Sequence, residues 1–91
     1  MIKTLHAFVT GTVQGVFFRA NTKNEAGKLG LTGWVKNLPN GKVEVEASGE
    51  EKKLKKLLKF LQNNPGRSRV ENVEYEYAEE QLPYDSFEIK Y

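Results

Sequence analysis

The sequence predicts an α+β sandwich in which two helices cover one face of an antiparallel sheet and a short extra strand closes the chain. Three observations carry that expectation. Four stretches alternate apolar and polar residues with the period of a strand. One stretch shows an unambiguous helical leucine stripe. Glycine, asparagine and proline punctuate the chain where one period gives way to the next.

LHAFVTGTV (Leu5–Val13) sets Leu5, Ala7, Val9 and Val13 against His6, Thr10 and Thr12, which reads as a strand. Phe8 interrupts the polar side, so both faces are expected to be partly covered. Gly15 marks a turn. Ala20 to Leu29 reads as a helix with Thr22, Ala26 and Leu29 on one face and Gly30 as its stop. TGWVKN (Thr32–Asn37) is a second strand, and LPNG (Leu38–Gly41) is hairpin punctuation. KVEVEAS (Lys42–Ser48) alternates as a half-buried strand.

Ser48 and Glu51 have the spacing of a capping box. The helix they introduce places Leu54, Leu57, Leu58 and Leu61 at i, i+3, i+4 and i+7. It is expected to end near Asn63-Asn64, before Pro65-Gly66. Val70 to Tyr77 forms another strand, with Val73, Tyr75 and Tyr77 opposite Glu74 and Glu76. Phe87, Ile89 and Tyr91 opposite Glu88 and Lys90 form the last. The order β-α-β-β-α-β is the ferredoxin-like arrangement, here as one domain over residues 1–91. It leaves the place of the last strand in the sheet open, and it serves many functions.

Composition narrows those functions. The chain has no cysteine, which removes disulfides, thiolate nucleophiles and cysteine metal sites. His6 is the only histidine and reads as a sheet-face residue; no metal or other cofactor is expected. The chain shows no leader-like apolar segment and no apolar run long enough to span a membrane, so the expectation is a cytoplasmic protein with no membrane partner. A Glu- and Lys-rich surface without cysteine is a compositional hint of thermophily.

Nucleic acid is not expected either. The net charge is only +2. Trp34 and the tyrosines could in principle stack bases, yet Glu44, Glu46, Glu74, Glu76 and Glu88 run through the same strands and would repel a phosphate backbone. The lysines of EEKKLKKLLKF (Glu50–Phe60) flank a leucine stripe suited to the core, and Glu51 and Lys55 have i,i+4 spacing. That segment reads as a solvated helix face, and nothing indicates an obligate protein partner.

Chemistry concentrates in GTVQGVFFR (Gly11–Arg19). Only three of the 14 cationic side chains are arginine. One of them, Arg19, sits at a helix start, where the dipole makes a cation unfavourable by roughly 0.3–1 kcal/mol. A bound anion would reverse that sign. Turn amides and a helix N-terminus form a concavity suited to an anion. Arginine matches phosphate with a planar fork where lysine offers a point charge. Asn37 ends the second strand, whose exit lies at the same end of the sheet as this turn, so it can approach Arg19. Two plainer readings stay open on the residues alone: a solvated arginine, and ordinary turn chemistry for an asparagine before Leu-Pro-Asn-Gly.

GTVQGVFFR, followed after a helix by LTGWVKNLPNGKVEVEASG and closed by SFEIKY, resembles the acylphosphatase family along the chain from Leu5 onward. The resemblance implies hydrolysis of the carboxyl–phosphate bond of a small acyl phosphate to a carboxylate and inorganic phosphate, with no metal and no covalent intermediate. It implies that Arg19 binds the phosphoryl group together with the backbone amides of Gln14, Gly15, Val16, Phe17 and Phe18, and that Asn37 orients the attacking water. Phe17 departs from a position often small in the family, and it would be strained if the turn required a positive φ there. The competing expectation is a non-catalytic ferredoxin-like module that binds an anion or a partner.

Overall fold

The computed structural model describes residues 1–15, 17–63 and 68–90. In chain order the elements are β1 (Ile2–Thr12), α1 (Phe18–Lys28), β2 (Thr32–Asn37), β3 (Val43–Glu50), α2 (Glu51–Gln62), β4 (Arg69–Ala78) and β5 (Phe87–Lys90). The sheet runs β4-β1-β3-β2-β5. β1 is antiparallel to β3 and β4, β2 is antiparallel to β3, and β5 joins parallel to β2 at the edge. The strands β4-β1-β3-β2 form the expected ferredoxin-like core, and the edge position of β5 answers what the element order left open.

One sheet face carries the core. Leu5, Ala7 and Val9 of β1, Val35 of β2, and Val43, Val45 and Ala47 of β3 are fully buried. Against them pack Leu54, Leu57, Leu58 and Leu61 of α2, and Phe18, Thr22 and Ala26 of α1. The two helices also touch each other. α1 is mostly polar, so its attachment rests on a narrow stripe of Phe18, Thr22 and Ala26 and on its length of 11 residues along the sheet. On the open face His6 stands in register between Glu46 and Glu76, and its Nε2 lies 2.6 Å from Glu44 Oε2.

Two local expectations change. The capping box is absent: β3 continues to Glu50 because Ser48, Gly49 and Glu50 pair with Thr4, Lys3 and Ile2. Ser48 is therefore a strand residue, and its hydroxyl lies 2.6 Å from Thr4 Oγ1 and accepts from the Leu82 amide. Glu50 takes the N-cap position without a side-chain cap, and the Glu51 amide donates to the Met1 carbonyl instead. Helix α1 also begins earlier than expected, at Phe18 rather than Ala20, which places Arg19 inside its first turn.

The β1–β4 register shifts between Thr10 and Gly11. Gly11 has φ 139°, and a Cβ there would strike the Arg69 carbonyl. A bulge of this kind bends the strand end and re-aims the chain beyond it. Here the re-aimed segment is the turn into α1.

Candidate active site

The C-terminal ends of β1 and β2 lie at one end of the sheet, because both run antiparallel to the β3 strand between them. A cleft of about 320 Å³ opens there. Gly15, Phe17, Phe18 and Arg19 line it from the turn and first helical residues, Asn37 from the end of β2, and Ile89 from β5. Val13 and Ala20 complete the wall. The expected positions Gly15, Phe17, Phe18, Arg19 and Asn37 thus share one cavity. Val16 lies outside the described residues.

Among the described residues of the turn, Gly15 and Phe17 are left-handed. Gly15 has φ 75°, and a Cβ there would meet nothing within 4 Å. Conformation rather than space is therefore what glycine satisfies at that position. Phe17 has φ 61° and ψ 21° at the N-cap of α1, with no side-chain cap, and its carbonyl accepts the first helical bond from Asn21 at 3.0 Å. The positive φ that the sequence made conditional is present. The amides of Phe18, Arg19 and Ala20 precede that first bond and have no carbonyl one turn back inside the helix. They give the cleft floor a partial positive charge.

Arg19 adds a full one. Its Nη1 donates to the Lys90 carbonyl at 3.3 Å, so the edge strand β5 steers the guanidinium. The first turn of α1 carries no acidic side chain. Nor does any acidic residue line the cleft among the described residues. Asn37 lines this electropositive space, and its side-chain Oδ1 is buried with no hydrogen-bond partner among the described residues. An unpaired buried acceptor costs roughly 1–3 kcal/mol.

Gln14 plays a part that a backbone role does not describe. It does not line the cleft. Its side-chain Nε2 donates to the carbonyls of Leu38 at 2.8 Å and Lys42 at 2.9 Å, tying the turn to the β2–β3 hairpin. Ile89 was likewise beyond sequence reasoning, since its approach depends on β5 adding beside β2. No periodicity signals either contact. Among the described residues no group of three or more His, Asp or Glu side chains is placed to hold a metal ion, and no helix is long and apolar enough to cross a membrane.

Comparison with known proteins points to one family. The acylphosphatase family model matches residues 5–89. An acylphosphatase from Pseudomonas paraeruginosa is 54% identical over 72 residues, covering 79% of this chain and 79% of that protein. The structure of an acylphosphatase from Coxiella burnetii superposes with a TM-score of 0.91 at 39% identity, over 98% of this chain and 93% of that one. The crystal structure of acylphosphatase from Bacillus subtilis superposes with a TM-score of 0.93 at 34% identity over 100% of both chains.

Proposed function

Since this chain belongs to the acylphosphatase family and is an enzyme that hydrolyses acyl phosphates, we propose that the cleft between the β1–α1 turn and Asn37 is where it does so. The observation that carries the assignment is the cleft shared by Arg19, Asn37 and the turn residues Gly15, Phe17 and Phe18. In this reading the phosphoryl group sits on the amides of Gly15, Phe17 and Phe18 within the expected cradle, and Arg19 clamps two of its oxygens.

Phosphoryl transfer spreads charge over three equatorial oxygens, and fixed donors aimed at them do most of the catalytic work. Asn37 orients the attacking water and holds it in line with the acyl oxygen. The water oxygen bonds to phosphorus as the bond from phosphorus to the acyl oxygen breaks. The water's proton passes to a phosphate oxygen, and the acyl group leaves as a carboxylate. A carboxylate with a pKa of about 4 needs no general acid, so the reading demands neither an acidic residue nor a metal in the cleft. The substrate is accordingly a small molecule, and the site asks for no nucleic acid, membrane or obligate protein partner. It fits a cytoplasmic enzyme.

The test is benzoyl phosphate hydrolysis with a chelator present, comparing the native protein with Arg19→Ala and Asn37→Ala. Loss of about 1,000-fold or more in the arginine variant is expected. The asparagine variant should lose about 100- to 1,000-fold. Activity retained by both variants would move the site elsewhere, and activity abolished by the chelator would end the metal-free mechanism.

A further inference from the structure

We propose that Phe17 is a specificity residue, selecting acyl phosphates whose acyl group is apolar and of aromatic size; this rests on the placement of catalysis in the cleft. Phe17 carries three separate costs. Its φ of 61° is a left-handed conformation. A bulky side chain adopts that conformation only under constraint. It holds an N-cap position that favours Ser, Thr, Asp or Asn, yet makes no cap. Its ring is an exposed large apolar group, with the residue 78% accessible.

None of these is repaid in the fold, because Phe17 is outside the hydrophobic core that its neighbour Phe18 joins at 1% exposure. The residue does line the cleft, together with Arg19 and Asn37. The remaining wall there is largely apolar, with Val13, Phe18 and Ile89. Arg19 is the only charged residue lining the cleft among the described residues. Once it holds the phosphoryl group, no cation remains in that lining for an acyl chain that carries a carboxylate. The cleft volume is about 320 Å³. That is at the lower end of small-molecule sites and leaves room beyond a phosphoryl group. The exposed ring of Phe17 supplies the surface against which a flat apolar acyl group packs.

The experiment compares kcat/KM for benzoyl, acetyl and succinyl phosphate in the native protein, Phe17→Gly and Phe17→Asn. Both replacements tolerate a positive φ, so the turn is preserved, and asparagine keeps a side chain at the position. The ratio of benzoyl to acetyl kcat/KM cancels any change that the phosphate cradle suffers with both substrates. That ratio should exceed one in the native protein and fall about tenfold in each variant, while succinyl phosphate gains nothing over acetyl phosphate in the native protein. A ratio within about twofold of native in both variants would overturn the assignment of Phe17 and leave the hydrolase intact. A native protein that prefers succinyl phosphate would overturn the apolar acyl class. Native protein inert toward all three substrates would overturn the cleft reading as well.

Discussion

Gln14 Nε2 donates to the Leu38 carbonyl at 2.8 Å, across 24 positions of sequence. The same nitrogen reaches the Lys42 carbonyl at 2.9 Å. One side-chain amide thus couples the turn before α1 to the hairpin that begins directly after Asn37. The two halves of the cleft are held in register by this coupling rather than by the sheet alone, since β3 separates β1 from β2.

Replacing Gln14 by leucine removes both bonds while keeping the bulk. Stability should fall by about 1–2 kcal/mol, the net worth of two neutral hydrogen bonds, measurable as a lower urea midpoint. Benzoyl phosphate turnover should fall with it, because the turn loses its link to the hairpin beside Asn37. Unchanged turnover with reduced stability would show that the bonds serve the fold only.

Arg19→Lys keeps the charge and loses the fork. Inhibition by inorganic phosphate should weaken by about tenfold or more, since a point charge cannot reproduce bidentate recognition. The relevant measurement is the phosphate inhibition constant at fixed ionic strength. Equal inhibition in both proteins would mean that Arg19 acts through charge alone.

Asn37→Leu separates catalysis from folding. Asn37 Oδ1 is buried without a partner among the described residues. Its removal should therefore leave the unfolding free energy unchanged or raise it by up to about 1 kcal/mol. Turnover should drop by about 100-fold or more. A variant that loses stability and activity together would identify Asn37 as a structural residue.

Thr22 offers a control outside the cleft lining. Its hydroxyl is also buried with no partner among the described residues. Thr22→Val should accordingly stabilise the protein by about 1 kcal/mol. Thermal unfolding should report a higher Tm with benzoyl phosphate turnover unaltered. A lower Tm would show that the hydroxyl is satisfied in solution.

Acid stability should depend on Glu51. Its carboxyl is held below the usual carboxylate range by Lys3, whose Nζ is 3.4 Å away, and secondarily by Lys55 at 3.7 Å. A folded-state pKa below the unfolded one contributes stability that is present above the ordinary carboxylate value and is lost as the pH falls through the lower folded value. Glu51→Gln should therefore lower the urea midpoint at neutral pH and leave it unchanged in strong acid, where the native carboxyl is protonated in both states. Equal midpoints for the two proteins at both pH values would remove the pair from the acid response.

Periodicity was enough for most of the fold, because strands and helices with one buried face repeat their apolar residues at fixed intervals. The leucines of α2 and the alternation of β3 were legible for that reason. Ser48 shows where a local signal fails. Its capping-box spacing was real, but the strand pairing of Ile2 to Thr4 claims the segment for β3, and long-range hydrogen bonds outweigh a local cap. Phe17 shows a question that the sequence could pose but not answer, since the sign of φ depends on how the turn joins strand to helix.

Local chemistry and spacing were sufficient for the order of elements, the core stripe and the residue types gathered in GTVQGVFFR and WVKN. Three relationships had to wait for the assembled sheet: Gln14 reaching across to the hairpin, Lys90 steering Arg19 from an edge strand, and Phe17 standing exposed beside them. Each depends on which strands become neighbours. Strand neighbours are chosen by burial of the whole core, and no local stretch of the chain encodes that choice.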